Sequence, residues 1–287
     1  MKQVMKQLGK VICYVLLFFG MQQIVGTIVG FVYGFQEGLR AAAAGAAVDA
    51  EALTLGLAEY MVENATWIVS ISGLLTLLFL WIFFKIRKKK LSQESRMKSF
   101  DLRKAVPIVL LGISFSVTVS MLLQILPIPE AVMESYAQSS ATLVGGHMVM
   151  ILIADMVIAP LTEEIVFRGL VLSRLQEAMP VGAAVGISSF LFGLMHGNPL
   201  WIAYAFVVGC LLAVVALRFK SIGASLILHM AFNFAGVFLG MLPITEEMIL
   251  PIGIFAAAVS VVLIYLVFRK GKNKADVIAG KIQEGTI

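Results

Sequence analysis

Glu163, Glu164, Arg168, His196, His229 and Asn233 have the types and spacing for acid–base chemistry, and all lie within or at the ends of strongly apolar runs. Ionisable groups in hydrocarbon are costly, so they are rare and face a protein interior or a wet cavity. Carboxylates beside imidazoles are the material of general acid–base catalysis. On a helix Glu164 and Arg168 are four apart and share a face, which permits an ion pair. Glu163 points roughly 100° away and lacks that partner. This predicts one structural carboxylate and one free to act as a base; a helix–helix salt bridge with Glu163 facing water is the plain alternative. Pro160 predicts a kink or break, which would set the pair in a first turn, where the positive dipole end favours carboxylates.

His196 precedes the turn signal Gly197-Asn198-Pro199 and so stands at a helix end. Alone it reads as an interface residue, and its weight comes from the company of Glu163. His229 and Asn233, four apart, face one way and both offer donors that a developing oxyanion needs. Interhelical hydrogen bonding is the alternative there. His147, after Gly145-Gly146, reads as interfacial. Asp155 is a further intramembrane acid without an assigned role.

Positioning such groups takes membrane helices. Hydrophobic residues make up 60% of the 287 and charged residues only 14%, far less than the quarter or so of a soluble domain. The expectation is an all-α, polytopic membrane protein. Apolar runs of about 20 residues give eight expected spans, near 11–33, 67–84, 105–126, 147–172, 181–195, 200–217, 222–242 and 250–268. The connection from Lys85 to Lys104 is strongly basic, and Lys2, Lys6, Lys10, Arg218, Lys220, Arg269, Lys270, Lys272 and Lys274 lie on the same side. The opposite side carries Glu37, Asp49, Glu51, Glu59, Glu63, Glu130, Glu134, Glu246 and Glu247, with Arg40 its one basic residue. Lys/Arg-rich short loops stay in the cytoplasm, so both termini are expected there. The net charge of +5 is thus accounted for by topology and lipid rather than by nucleic acid.

The organisation expected is two spans with an outer acidic loop and a basic linker over 1–104, an embedded core over 105–268, and a polar cytoplasmic tail over 269–287. The outer connection 36–65 reads as an amphipathic surface helix or a plain loop. Cys13 and Cys210 read as small core hydrophobes. Gly26/Gly30/Gly34, Gly182/Gly186 and Gly236/Gly240 form small-xxx-small stripes, predicting close helix packing near both imidazoles. One tension stands out. His229 is about 10 Å from the basic end of its span at 1.5 Å per residue, whereas His196 ends its span at the far side. They meet only if span five is tilted, short or starts deeper.

Three segments together resemble a family. Glu163-Glu-Ile-Val-Phe-Arg168 fits Glu-Glu-x-x-x-Arg, Phe192-Gly-Leu-Met-His196 fits Phe-x-x-x-His, and His229-Met-Ala-Phe-Asn233 fits His-x-x-x-Asn. In this order, on successive apolar segments within about 145–240, they resemble the CAAX protease and bacteriocin-processing (CPBP or Abi) intramembrane proteases. The resemblance implies an endopeptidase acting on membrane-associated or lipid-anchored peptides or proteins. Glu163 would activate water, His196 would help hold it and shuttle the proton, His229 and Asn233 would form the oxyanion hole, and Glu164 with Arg168 would fix the geometry. The family has been labelled metalloprotease, and Glu163, His196 and His229 are the set that zinc would take. His-Glu-x-x-His is absent, and no further carboxylate stands out to orient either imidazole, so no cofactor is expected. Cleavage is expected near the cytoplasmic side, in a multi-pass protein of a bacterial plasma membrane whose partners are its substrate and the bilayer. A transporter and a non-catalytic membrane scaffold are the rival classes.

Overall fold

The computed structural model describes residues 1–144 and 148–269, so His147 and the tail from 270 lie outside the described residues. Helices are the regular elements throughout the described residues. They run α1 (Lys2–Ala43), α2 (Ala50–Glu63), α3 (Ala65–Ile86), the single turn α4 (Leu91–Glu94), α5 (Ala105–Ile125) and α6 (Glu130–Val144). Then follow α7, an irregular helix over 148–176, α8 (Val181–Leu194), α9 (Pro199–Phe219), α10 (Ile222–Leu239) and α11 (Glu246–Phe268). Six of these, α1, α3, α5, α9, α10 and α11, are long and apolar enough to cross a membrane. The other two expected spans correspond to α7, which changes helical register, and to α8, whose 14 residues make only about 21 Å. The outer connection does contain a helix: Asp49 caps α2, accepting from the Glu51 and Ala52 amides, as N-cap aspartates do.

Close packing falls on glycines other than the predicted stripes. A Cβ on Gly112 of α5 would stand 2.6 Å from the Leu228 carbonyl of α10, and one on Gly193 of α8 2.8 Å from the Ile202 carbonyl of α9. Only glycine allows these backbones so near, and without water such packing is what associates membrane helices. Gly182 and Gly186, by contrast, would meet nothing within 4 Å, because their face of α8 turns away from its neighbours. Gly236 makes ordinary contact with Ser116, and Gly240 meets only its own helix. Of the first stripe, Gly26 and Gly30 receive Met61 and Leu57 of α2 while Gly34 is open. Cys13 is exposed on α1 and Cys210 half-buried, so Cys13 is not a core residue; an apolar lipid-facing surface and a core look alike in composition.

One end of the bundle is tied together by the basic linker. Arg174 of α7 pairs with Glu94 and Glu177, and Arg96 donates to Gln176 at 2.6 Å. Gln7 of α1 donates to Glu177, and the Arg96 carbonyl accepts from the Ile222 amide at 3.3 Å. The linker can enter this deeply because Gly169 carries no side chain: a Cβ there would lie 2.7 Å from Ser95, itself wholly buried.

Candidate active site

Pro160 does not break α7. The helix is π-helical over Ala154–Ile158 and again over Glu164–Val171, with an α-helical turn, Ala159–Glu163, between. Insertions of this kind concentrate at functional positions. In the first π segment the Ala159 amide bonds to the Ala154 carbonyl. The Asp155 carbonyl would therefore look to residue 160 in the same register, and proline has no N–H. Asn233 of α10 fills that place, its side-chain amide donating to the Asp155 carbonyl at 2.7 Å. The interhelical reading of Asn233 is thus realised for one of its two N–H groups. Glu163 and Glu164 stand at the junction of α and π turns, not in a first turn as Pro160 had suggested.

The adjacent carboxylates diverge. The Glu164 side chain has no exposure, that of Glu163 is 17% exposed and faces a cavity. Arg168 Nη1 lies 3.2 Å from Glu164 Oε1, and His229 Nδ1 lies 3.1 Å from the same oxygen. A carboxylate only accepts, so Nδ1 carries the proton and donates. The other ring nitrogen of His229 approaches Glu163 Oε2 at 3.6 Å, beyond hydrogen-bond range. Glu163 is therefore not wholly without a partner, and Glu164 is the orienting carboxylate for an imidazole that the sequence did not reveal. Arg168 also donates to the Gly209 carbonyl at 3.3 Å, and its guanidinium stacks 4.0 Å from the Phe192 ring centroid. Glu164 Oε2 and Arg168 Nη1 still lack an aligned hydrogen bond. A buried pair so incompletely satisfied contributes little net stability; its consequence is a fixed geometry.

Phe192 connects the motifs. Its ring meets His196 at 5.1 Å and His229 at 5.7 Å between centroids, both edge to face. That settles the tension over depth: α8 is short, so its far end lies level with the middle of α10. His196 Nδ1 faces the Phe192 and Gly193 carbonyls at 3.1 and 3.2 Å. Carbonyls only accept, so here too Nδ1 bears the proton, leaving Nε2 as an acceptor.

Glu163, His196, His229 and Asn233 line one cavity of about 1480 Å³, and Asp155 lines it with them. The cavity walls draw on Gln22, Gln23, Ser72 and Ser116 from α1, α3 and α5. None of these stands out in sequence, since a small polar residue on an apolar helix is common and has no spacing signature. Among the described residues no three His, Cys, Asp or Glu side chains converge to hold a metal. Both Nδ1 atoms are committed to oxygen acceptors, which leaves Nε2 as the remaining ring nitrogen of each imidazole.

Residues 145–235 match the family model described as Type II CAAX prenyl endopeptidase Rce1-like. No curated protein and no solved structure matches the chain. The matched segment runs from Gly145 through Ala235, and it contains the Glu-Glu-x-x-x-Arg, Phe-x-x-x-His and His-x-x-x-Asn motifs. Over these residues the chain is similar to the CAAX protease and bacteriocin-processing family of intramembrane proteases.

Proposed function

We propose that this protein is a multi-pass intramembrane endopeptidase, with eight spans and cytoplasmic termini. In it Glu163 deprotonates a water for attack on a peptide carbonyl. The carrying observation is the divergence of two neighbouring carboxylates. Glu164 is fixed by Arg168 and His229, while Glu163 faces a cavity large enough for a peptide segment. Glu163 Oε2 and His229 Nε2 can reach one water from the cavity side, and the acceptor Nε2 of His196 is suited to take up and return the proton. The free N–H of Asn233 and a protonated His229 would donate to the developing oxyanion, where such donors act most strongly in a water-poor site. The sequence of events balances without a further reactant. The water oxygen bonds to the carbonyl carbon, its proton passes to Glu163, and the proton then reaches the leaving amine as the C–N bond breaks.

The test compares the peptidome and membrane proteome of cells carrying wild-type protein and Glu163→Ala. Peptide termini dependent on the carboxylate support the reading, and identical sets of termini contradict it. A metal-dependent reaction is the second reading, favoured by one observation: a carboxylate orienting an imidazole, as Glu164 orients His229, is common around bound zinc. Elemental analysis and activity after chelation separate the two. Full turnover in demetallated protein is expected; stoichiometric zinc whose removal and return switches activity overturns the metal-free route. The transporter class predicts ion-coupled flux in liposomes.

A further inference from the structure

We infer that the catalytic cavity opens on the acidic face of the membrane. Given the endopeptidase reading, its substrates would then be peptide segments presented from the extracytoplasmic side. The sequence led to an expectation of cleavage near the cytoplasmic side, and the cavity walls point the other way. No lining residue precedes Phe18 on α1 or Ser116 on α5, whose first residues lie at the basic end. None follows Gly73 on α3, Glu163 on α7 or Val208 on α9, whose last residues lie at that end, and none precedes His229 on α10. Among the described residues, none in the linker 87–104 borders the cavity. Leu57 and Met61 of α2, and Tyr136 of α6, do border it, and both helices belong to the acidic connections.

Beneath Glu163 the basic end is filled. From Glu164 to Val171 every residue is buried, and Ser95 closes on Gly169. Short Lys/Arg-rich loops mark the cytoplasmic side, which puts the mouth at the other surface. The segments 44–64, 127–144 and 240–247 at that surface contain acids and no Lys or Arg. Asp155, buried with Oδ2 unpartnered, adds a carboxylate to the wall. A mouth of this charge favours substrate segments with cationic residues near the cleaved bond.

The test uses the full chain with Cys13→Ser and Cys210→Ser, and single cysteines at Met241, Ala137 or Gln93. Right-side-out and inverted vesicles are treated with a membrane-impermeant maleimide. Met241→Cys and Ala137→Cys should be modified in right-side-out vesicles and lose labelling in inverted ones, with Gln93→Cys showing the reverse. The two cavity positions guard against one variant misfolding. Labelling of both from the side of Gln93, or only after detergent is added, overturns the inference. The readout needs no activity, so it stands or falls apart from the protease reading: correct labelling without Glu163-dependent termini would remove the enzyme and leave the mouth.

Discussion

The two ends of the bundle are built on opposite principles, and the candidate site lies on the boundary between them. At the basic end the volume is filled: Arg168, Phe167 and Leu175 are among the largest wholly buried side chains, and the linker is drawn in against Gly169. At the acidic end the same helices part around a cavity of about 1480 Å³. Glu164 belongs to the filled end and Glu163 to the hollow one, although they are neighbours in sequence. A close-packed region fixes side chains because any displacement costs contacts, and a cavity admits substrate and water. The difference teaches that one peptide bond's separation suffices to divide positioning from chemistry.

Substitutions at each end should therefore fail differently. The largest effect is expected in the filled end, where Arg168→Ala strands Glu164 as an uncompensated buried charge. That should cost about 3–5 kcal/mol of stability, read as a lowered thermal midpoint in detergent. Unchanged stability with lost activity would instead assign Arg168 to substrate binding. Next, at the boundary, Asn233→Ala should lower kcat about 10²–10³-fold with little change in KM. A change in KM alone would show that its amide serves only the hydrogen bond to the Asp155 carbonyl. Smaller still is Gly193→Ala, which drives a Cβ into the Ile202 carbonyl and should cost about 1–3 kcal/mol. Gly186→Ala, which meets open space, should cost nothing; equal losses would mean that α8 packs through the other stripe.

The smallest effect concerns the knot of side chains at the basic end. Burial pushes the Glu94 carboxyl up, but hydrogen bonds from Lys89 and Arg174 outweigh it and hold the group below the usual carboxylate range. A depressed pKa in the folded state means the stabilisation is present above the ordinary value and fades as pH falls through the folded one. Glu94→Gln should thus cost about 1 kcal/mol or less at neutral pH, with the difference from wild type vanishing on acidification. A gap that persists in acid would show that the side chain acts through packing.

Much of the site was legible in the sequence because charge in an apolar run is conspicuous. Glu164 with Arg168, and His229 with Asn233, follow from i,i+4 spacing, and charge placement predicted which loops share a side. What stayed hidden depends on contacts between distant segments. The π turns around Pro160 change which carbonyl is left free, and no spacing rule marks Asn233 as its partner. Glu164 and His229 are 65 residues apart, so their bond is tertiary. The glycine stripes misled because spacing four shows only that small residues share a face, not that another helix covers it. Gly193 and Gly169 lacked such a pattern and carry the close approaches.

The most direct test is Glu163→Gln in purified protein reconstituted in nanodiscs, assayed by mass spectrometry on a peptide whose cleavage by wild type has been established. The substitution keeps shape and removes the base. The account predicts cleavage at the uncatalysed background, with the thermal midpoint retained because Glu164, Arg168 and His229 still hold one another. Turnover near that of wild type would contradict it, and another group would have to activate the water.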